Sequence, residues 1–317
     1  MRKAALLYNP DSGGSRKRRQ AGLESVLAIL REAGIESSLI LTHSRAHAEE
    51  QARQAVLAGC DTIFACGGDG TIHNIIQVLA NTQVALAVLP MGTANALAHD
   101  LGLPINIVAA AKSALSAVPR RVALGRIQYR DFEGQPGNRY FIIAAGMGVD
   151  AHLFYKLNPE AKHRLGMAAY YMKAWHLWLT YPMTRFQVEY QETDSDRSER
   201  AELTELLAVR IRHFGGVLQS LAPGASLDRK DVRLILCRTA SRVAYLSYVT
   251  RALLHRHRSV RGIDLAHVSK AICQCLPAAK NSRQTTIYVE ADGELLGTLP
   301  AEITVVPDAI TLLSPLK

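Results

Sequence analysis

The 317-residue sequence lacks several features that would classify a protein at sight. Its five cysteines, Cys60, Cys66, Cys237, Cys273 and Cys275, include no C-x-x-C pair, and their number is odd. That argues against a disulfide framework and against a zinc site of ordinary spacing. It fits a reducing compartment, so a cytoplasmic protein is expected. No apolar run is long enough to cross a bilayer. The best candidate, residues 165–181, carries Lys173 and His176 and falls short of the roughly 20 residues a span needs. Residues 4–8, behind Met1-Arg2-Lys3, run straight into Asn9-Pro10 and are too short for a signal-peptide core. Neither G-x-G-x-x-G nor G-x-x-x-x-G-K-[ST] occurs, which sets aside the common dehydrogenase and Walker-type patterns. There is no internal repeat.

The composition is that of a globular chain, 48% apolar, and its length suggests two domains. Lys and Arg number 37 against 28 Asp and Glu, a net charge of +9. Such a surface attracts polyphosphates, anionic lipid headgroups or nucleic acid without choosing among them.

The first third alternates short apolar runs with helical periodicity. Residues 4–8, 38–41, 62–66 and 84–89 read as strands. Between them, Leu23, Val26, Leu27 and Leu30 recur at helical spacing, closed by Gly34. Residues 46–58 (with Ala52 and Val56 inward) and 72–80 read as further helices, and another begins near Thr93. This order implies a mostly parallel sheet covered on both faces. Beyond Arg120, strand-like runs dominate: 140–144, 186–190, 206–211, 232–237, 285–290 and 302–306. Helical segments near 166–180 and 242–255 interrupt them, and 191–200 reads as an exposed hairpin loop. The expected domains are 1–122, rejoined by a tail at 307–317, and a β-rich 123–306.

Three glycine loops follow three of the early strands: Asn9-Pro10-Asp11-Ser12-Gly13-Gly14, Gly67-Gly68-Asp69-Gly70-Thr71 and Pro90-Met91-Gly92-Thr93-Ala94-Asn95. In an open parallel sheet such loops gather beyond the carboxyl ends of the strands, where ligands bind. Glycine lets backbone N–H groups approach an anion, and helix N-termini add positive potential. Phosphate is the natural occupant. Asp69 would repel a bare phosphate, so a bridging Mg²⁺ is expected. Any one such loop is more often an ordinary strand–helix turn; three after successive strands argue for a nucleotide site.

The ordered set Asn9-Pro10 with Ser12-Gly13, then GGDGT at 67–71, then Pro90-x-Gly92-Thr93-x-Asn95, then Asp292-Gly293-Glu294 resembles the diacylglycerol kinase catalytic-domain family of bacterial lipid kinases, relatives of the sphingosine kinases. The likeness runs nearly end to end and includes Leu101-Gly102-Leu103-Pro104, Leu165-Gly166 and Tyr170-Tyr171. It implies an α/β fold: a Rossmann-like, phosphofructokinase-like parallel-sheet nucleotide domain and a C-terminal β-sandwich-like domain, with ATP in the cleft between them. It implies that Asn9, Ser12, Gly67, Gly68, Asp69, Gly70, Thr71, Gly92, Thr93 and Asn95 hold ATP, with Lys162 and Arg164 on its phosphates. Asp69 and Asp292 would be the catalytic carboxylates and would meet Mg²⁺, Asp69 through water. Asp292 would be the general base, Glu294 would stand beside it, and Asp150 would face the lipid. The implied reaction carries the γ-phosphate of ATP to a hydroxyl of a membrane lipid. The implied partners are ATP, the lipid and an anionic membrane met peripherally, not nucleic acid; a homodimer is compatible with this.

Four positions depart from the family pattern: Asn74 for a usual Glu, Ala123 for a usual Asp, Arg212-His213 where Asn is usual, and Asp228-Arg229 for Asp-Gly. These bear on substrate identity and on a second Mg²⁺ near Asp228. Two alternatives share the GGDGT loop: an NAD kinase-like phosphotransferase and a nucleotide-binding regulatory protein without catalysis. Three further segments are open to two readings. Arg16–Arg19 reads as a phosphate- or membrane-facing run or as a solvated face. Trp175 and Trp178, with Tyr170 and Tyr171, read as core filling or as a lipid-facing wall. Residues 242–261 mix an apolar stripe with Arg242, Arg251, Arg256, Arg258 and Arg261. They read either as an interfacial helix or as a core-packing helix before a basic loop.

Overall fold

The computed structural model describes residues 1–10, 16–149, 151–152, 175–176, 178–193, 198–214, 221–254, 259–277 and 286–315; for 16–18 it describes the backbone alone. The chain divides into two compact units. The first comprises Met1–Leu124, Ile211–Gln219 and Val306–Lys317, the second Gly125–Arg210 and Ser220–Val305.

In the first unit, β1 (Lys3–Tyr8), β2 (Glu36–Leu41), β3 (Thr62–Gly67) and β4 (Ala85–Pro90) pair in the order β2-β1-β3-β4, all parallel. The end of the long strand β14 (Glu294–Ser314) adds beside β4, also parallel, through Thr311 and Leu312. β3 and β4 are buried along their whole length, as a sheet covered on both faces requires. Helices α1 (Arg16–Glu32) and α5 (Ile107–Leu115) bring Leu23, Val26, Leu30, Ala110, Ala111 and Ala114 into one core with Leu6, Phe64 and Leu89. Asn106 caps α5 by accepting the Val108 and Ala109 N–H groups. Helix α2 (Arg45–Leu57) turns Ala48, Ala52 and Ala55 inward; Val56 is half-buried. Helix α3 is Asp69–Leu79, starting earlier than its apolar spacing suggested, and α4 (Ala96–Asp100) is a five-residue helix beginning three residues beyond Thr93.

The second unit is antiparallel. β7 (Ala144–Gly148), β10 (Glu205–Val209), β11 (Val232–Cys237), β12 (Ile263–Cys275), β8 (Phe186–Glu192) and β9 (Ser198–Leu203) neighbour one another in that order. β13 (Tyr288–Ala291) pairs on the other side of β7. The first half of β14 pairs with both β13 and β12, so the pairing β14-β13-β7-β10-β11-β12-β14 runs full circle. β5 (Val118–Arg130) and β6 (Pro136–Phe141) form a hairpin. Phe141, Phe186, Leu206, Leu234, Val268 and Ile303 are among the fully buried side chains of its core. Helix α6 (Arg242–Leu253) is capped by Ser241, which accepts the Ala244 N–H.

Candidate active site

Register brings the loops of the first unit together. Tyr8 lies opposite Cys66, and Gly67 opposite Pro90, so β1, β3 and β4 end at one level and their loops leave side by side. The Asn9 N–H donates to the Cys66 carbonyl and the Met91 N–H to the Gly67 carbonyl. Arg19 donates to the Pro10 carbonyl, which gives this member of the basic run a structural task at the first loop. Ser12 and the rest of 11–15 lie outside the described residues.

The second and third loops meet glycine to glycine. A Cβ on Gly92 would stand 2.5 Å from the Gly68 Cα, and one on Gly67 would stand 2.2 Å from the Thr71 hydroxyl. These glycines are therefore required by packing as well as by any anion. Asn95 sits at φ +50° and clasps its own loop: Oδ1 accepts the Gly92 N–H at 2.9 Å, and Nδ2 donates to the Gly92 carbonyl at 3.0 Å. Thr93 is exposed and Thr71 buried. Asp69, half-buried in the first turn of α3, reaches across to the start of α4. Its Oδ2 accepts the Ala96 N–H at 3.1 Å and its Oδ1 the Leu97 N–H at 3.3 Å. The aspartate of GGDGT thus caps the helix of the third loop, a role the sequence did not disclose.

In the second unit, Asp292-Gly293 is the two-residue turn between β13 and β14, with Ala291 opposite Glu294. Both turn residues have positive φ, +50° and +82°, the backbone that an Asp-Gly hairpin turn uses. Glu290 accepts the Gly293 N–H at 2.9 Å. The buried Asp292 carboxylate accepts three backbone N–H groups: Ile142 at 3.1 Å on Oδ2, and Ile143 at 2.8 Å and Ala144 at 3.1 Å on Oδ1. The Asp292 N–H donates to the Ala144 carbonyl. Such a grip fixes the carboxylate in place.

A Mg²⁺ that keeps its waters asks one or two carboxylates of the protein, and substrate phosphates for the rest. Asp69 beside the glycine loops fits that demand. No group of three or more His, Cys, Asp or Glu side chains able to hold a metal ion occurs among the described residues. The surroundings of Asp228 do not fit a second Mg²⁺. The buried Arg210 guanidinium donates there to the carbonyls of Leu227, Arg229 and Asp231, and Arg229 chelates the Asp231 carboxylate. Cationic charge is already supplied by arginine, and burial pushes the Arg210 guanidinium down to about 10.

Asp150, Lys162, His163, Arg164, Gly166, Tyr170, Tyr171, Gly215, Gly216, Arg256 and Arg258 lie outside the described residues. Glu294 is half-buried at the start of β14. The buried Oδ1 of Asn74 has no partner among the described residues, and Ala123 is buried. Asp100, which sequence reading passed over, accepts the N–H groups of Arg212 and His213 and anchors that segment to the first unit. Trp175 is half-exposed and stacks on Trp178 at 5.0 Å, which corrects the core-filling reading of this aromatic pair. α6 packs one face through buried Tyr245 and Ala252 and exposes Val243, Leu246 and Leu253 on the other, with exposed Leu254 just past its end.

Glycine loops at the carboxyl ends of parallel strands, with an acidic residue among them, define the phosphate-handling class of α/β proteins. The chain belongs to the diacylglycerol kinase catalytic-domain family. The model described as diacylglycerol kinase catalytic domain matches residues 3–127, and the YegS C-terminal NAD kinase beta sandwich-like domain matches 143–314. The diacylglycerol kinase of Bacillus subtilis (strain 168) is 29% identical over 305 residues, covering 95% of this chain and 93% of its own. That of Staphylococcus haemolyticus is 29% identical over 304 residues, covering 95% and 85%. A diacylglycerol kinase crystal structure from Bacillus anthracis shares the fold, with TM-score 0.72 at 20% identity over 99% of this chain and 96% of that one. Yeast NADH kinase complexed with NADH does so more distantly, with TM-score 0.54 at 12% identity over 100% and 84%. No helix among the described residues is long and apolar enough to cross a membrane.

Proposed function

We propose that the chain is an ATP-dependent lipid kinase that transfers the γ-phosphate of ATP to a hydroxyl of a membrane lipid of the diacylglycerol type. The observation that carries this reading is the seating of Gly68 against Gly92, with Asp69 joining the two loops at the ends of aligned parallel strands. Membership of the family supports the lipid acceptor. In this reading Asn9, Ser12, residues 67–71, Gly92, Thr93 and Asn95 hold ATP, while Lys162, Arg164 and Glu294 approach its phosphates. Asp150 faces the lipid. Peripheral contact with an anionic membrane belongs to the same reading.

Phosphoryl transfer asks a protein for positioning and charge compensation more than for covalent help. The loop N–H groups and the first turn of α3 would orient the phosphates. Mg²⁺, when bound near Asp69, would offset phosphate charge. Asp292 would take the proton of the lipid hydroxyl. An alcohol gives up its proton reluctantly, so this transfer belongs late, as the new O–P bond forms.

Gly92→Ala tests the seating of the loops. Forcing a methyl into that contact costs roughly 1–3 kcal/mol, and 1.4 kcal/mol is about tenfold in affinity. Titration with a fluorescent ATP analogue is expected to show affinity reduced about tenfold or more. Unchanged affinity would show that the loops can part without consequence for ATP.

The proposal itself is tested by presenting labelled ATP with lipid vesicles and, separately, with NAD. Labelled lipid supports it. Labelled dinucleotide would favour the NAD kinase-like alternative. ATP binding without lipid-dependent ADP release would favour a regulatory protein, a reading that the departures at Asn74 and Ala123 leave open.

A further inference from the structure

A cavity of about 390 Å³ opens in the second unit between α6 and the strands β11 and β12. Arg233 and Arg251 both line it, with Tyr248, Leu221 and Ile263 as apolar wall. The acid on its rim, Asp264, is taken by Arg238, whose Nε lies 2.7 Å away. Two further acids act on Arg233 through space, Asp231 and Glu192, and Asp231 is held by Arg229 and His267. Tyr248 spends its hydroxyl on the Leu221 carbonyl, and Arg251 donates to the Ser259 carbonyl at 2.9 Å. Arg233 is different. No described residue forms a hydrogen bond or ion pair with its half-buried guanidinium, and its Nε is shut away from solvent with no partner. A guanidinium carries five donors and cannot shed its charge at neutral pH. A cation left in this state beside a second arginine is complementary to an anion with several acceptor oxygens, and phosphate is the best match.

The source of that phosphate follows from the helix that frames the cavity. At 100° per residue, Val243, Leu246 and Leu253 fall within an arc of about 80° on α6, Arg251 flanks that arc, and Leu254 follows at the helix's C-terminal end. All four apolar side chains are exposed, Val243 by 78% and Leu254 by 60%. Arg242 donates to the Tyr181 carbonyl and so ties α6 to the segment that carries exposed Trp175 and Leu179. A soluble anion has no use for such a rim; a headgroup at the surface of a bilayer does. We infer that the cavity receives the phosphate of an anionic bilayer phospholipid, with the exposed stripe of α6 seated among the neighbouring acyl chains. The inference rests on the reading that the protein works on a membrane lipid, and it names where and through what chemistry the membrane is met.

The test is co-sedimentation of the full chain, without ATP, on phosphatidylcholine vesicles with and without phosphatidylglycerol. Binding is expected on the mixed vesicles. Arg233→Gln and Arg251→Gln should each weaken it about fivefold or more, the factor that accompanies one cation at an anionic surface. Circular dichroism verifies that each variant is folded, and two variants at separate positions guard against one that is not. Parent-like binding by both variants would overturn the inference. So would inorganic phosphate binding to the free protein together with equal binding to vesicles with and without phosphatidylglycerol, which would mark the cavity as a soluble-anion site. Because ATP is absent, a chain that docks but phosphorylates no lipid would sink the kinase proposal and leave this one standing.

Discussion

Asp292→Asn is expected to lower kcat by about 10²-fold or more, the usual range for loss of a general base, while ATP affinity stays close to that of the parent. The substitution keeps the shape of the side chain and removes its capacity to take a proton. It also disturbs a structural grip. The carboxylate accepts N–H groups from Ile142, Ile143 and Ala144 with both oxygens, and an amide has one acceptor oxygen to offer. A hydrogen bond to a charged group contributes about 1.5–3 kcal/mol, so stability should fall by about 2 kcal/mol, read from the denaturant midpoint. Rates must therefore be taken well below that midpoint. If kcat holds and stability alone falls, Asp292 is an anchor for residues 142–144, and some other group receives the proton.

Asp69→Ala is expected to abolish metal-dependent ATP turnover. A loop residue at a ligand site contributes little packing, which would leave the fold untouched. The structure changes that expectation, because Asp69 caps α4 through Ala96 and Leu97. Losing such a cap costs about 1 kcal/mol. The variant should therefore unfold at slightly lower denaturant and fail to turn over ATP. Asp69→Asn separates the two roles, since its amide oxygen still serves the helix end but brings no charge to a metal. Near-parental turnover by Asp69→Asn would reduce Asp69 to a cap and remove it from the metal's surroundings.

What the sequence made legible was local chemistry. Apolar runs bounded by glycine marked β1, β3 and β4, and the three loops stood out through their residue types. The rest depends on contacts between distant positions. Nothing near Asp69 says that its partner N–H groups lie 27 and 28 residues away. Nor does Gly92 disclose that it meets Gly68. β12 escaped notice because a register shift between Val268 and Lys270 breaks the alternation a strand is recognised by. The apparent single strand at 140–144 is two, β6 and β7, and the chain between them offers its N–H groups to Asp292. α5 had a legible cap in Asn106, but its inward face is alanine, too weakly apolar to draw attention. On α6 the pattern showed an apolar stripe; which side of it faced solvent was a tertiary fact.

In the proposed function this chain moves phosphate from ATP to a lipid hydroxyl. The most direct measurement incubates the purified protein with ATP labelled at the γ-phosphate, Mg²⁺ and a total lipid extract, then separates organic from aqueous phase. The proposed function predicts label in an organic-phase phospholipid whose formation requires both the protein and Asp292. Label confined to the aqueous phase, whether as inorganic phosphate or as a phosphorylated dinucleotide, would contradict it.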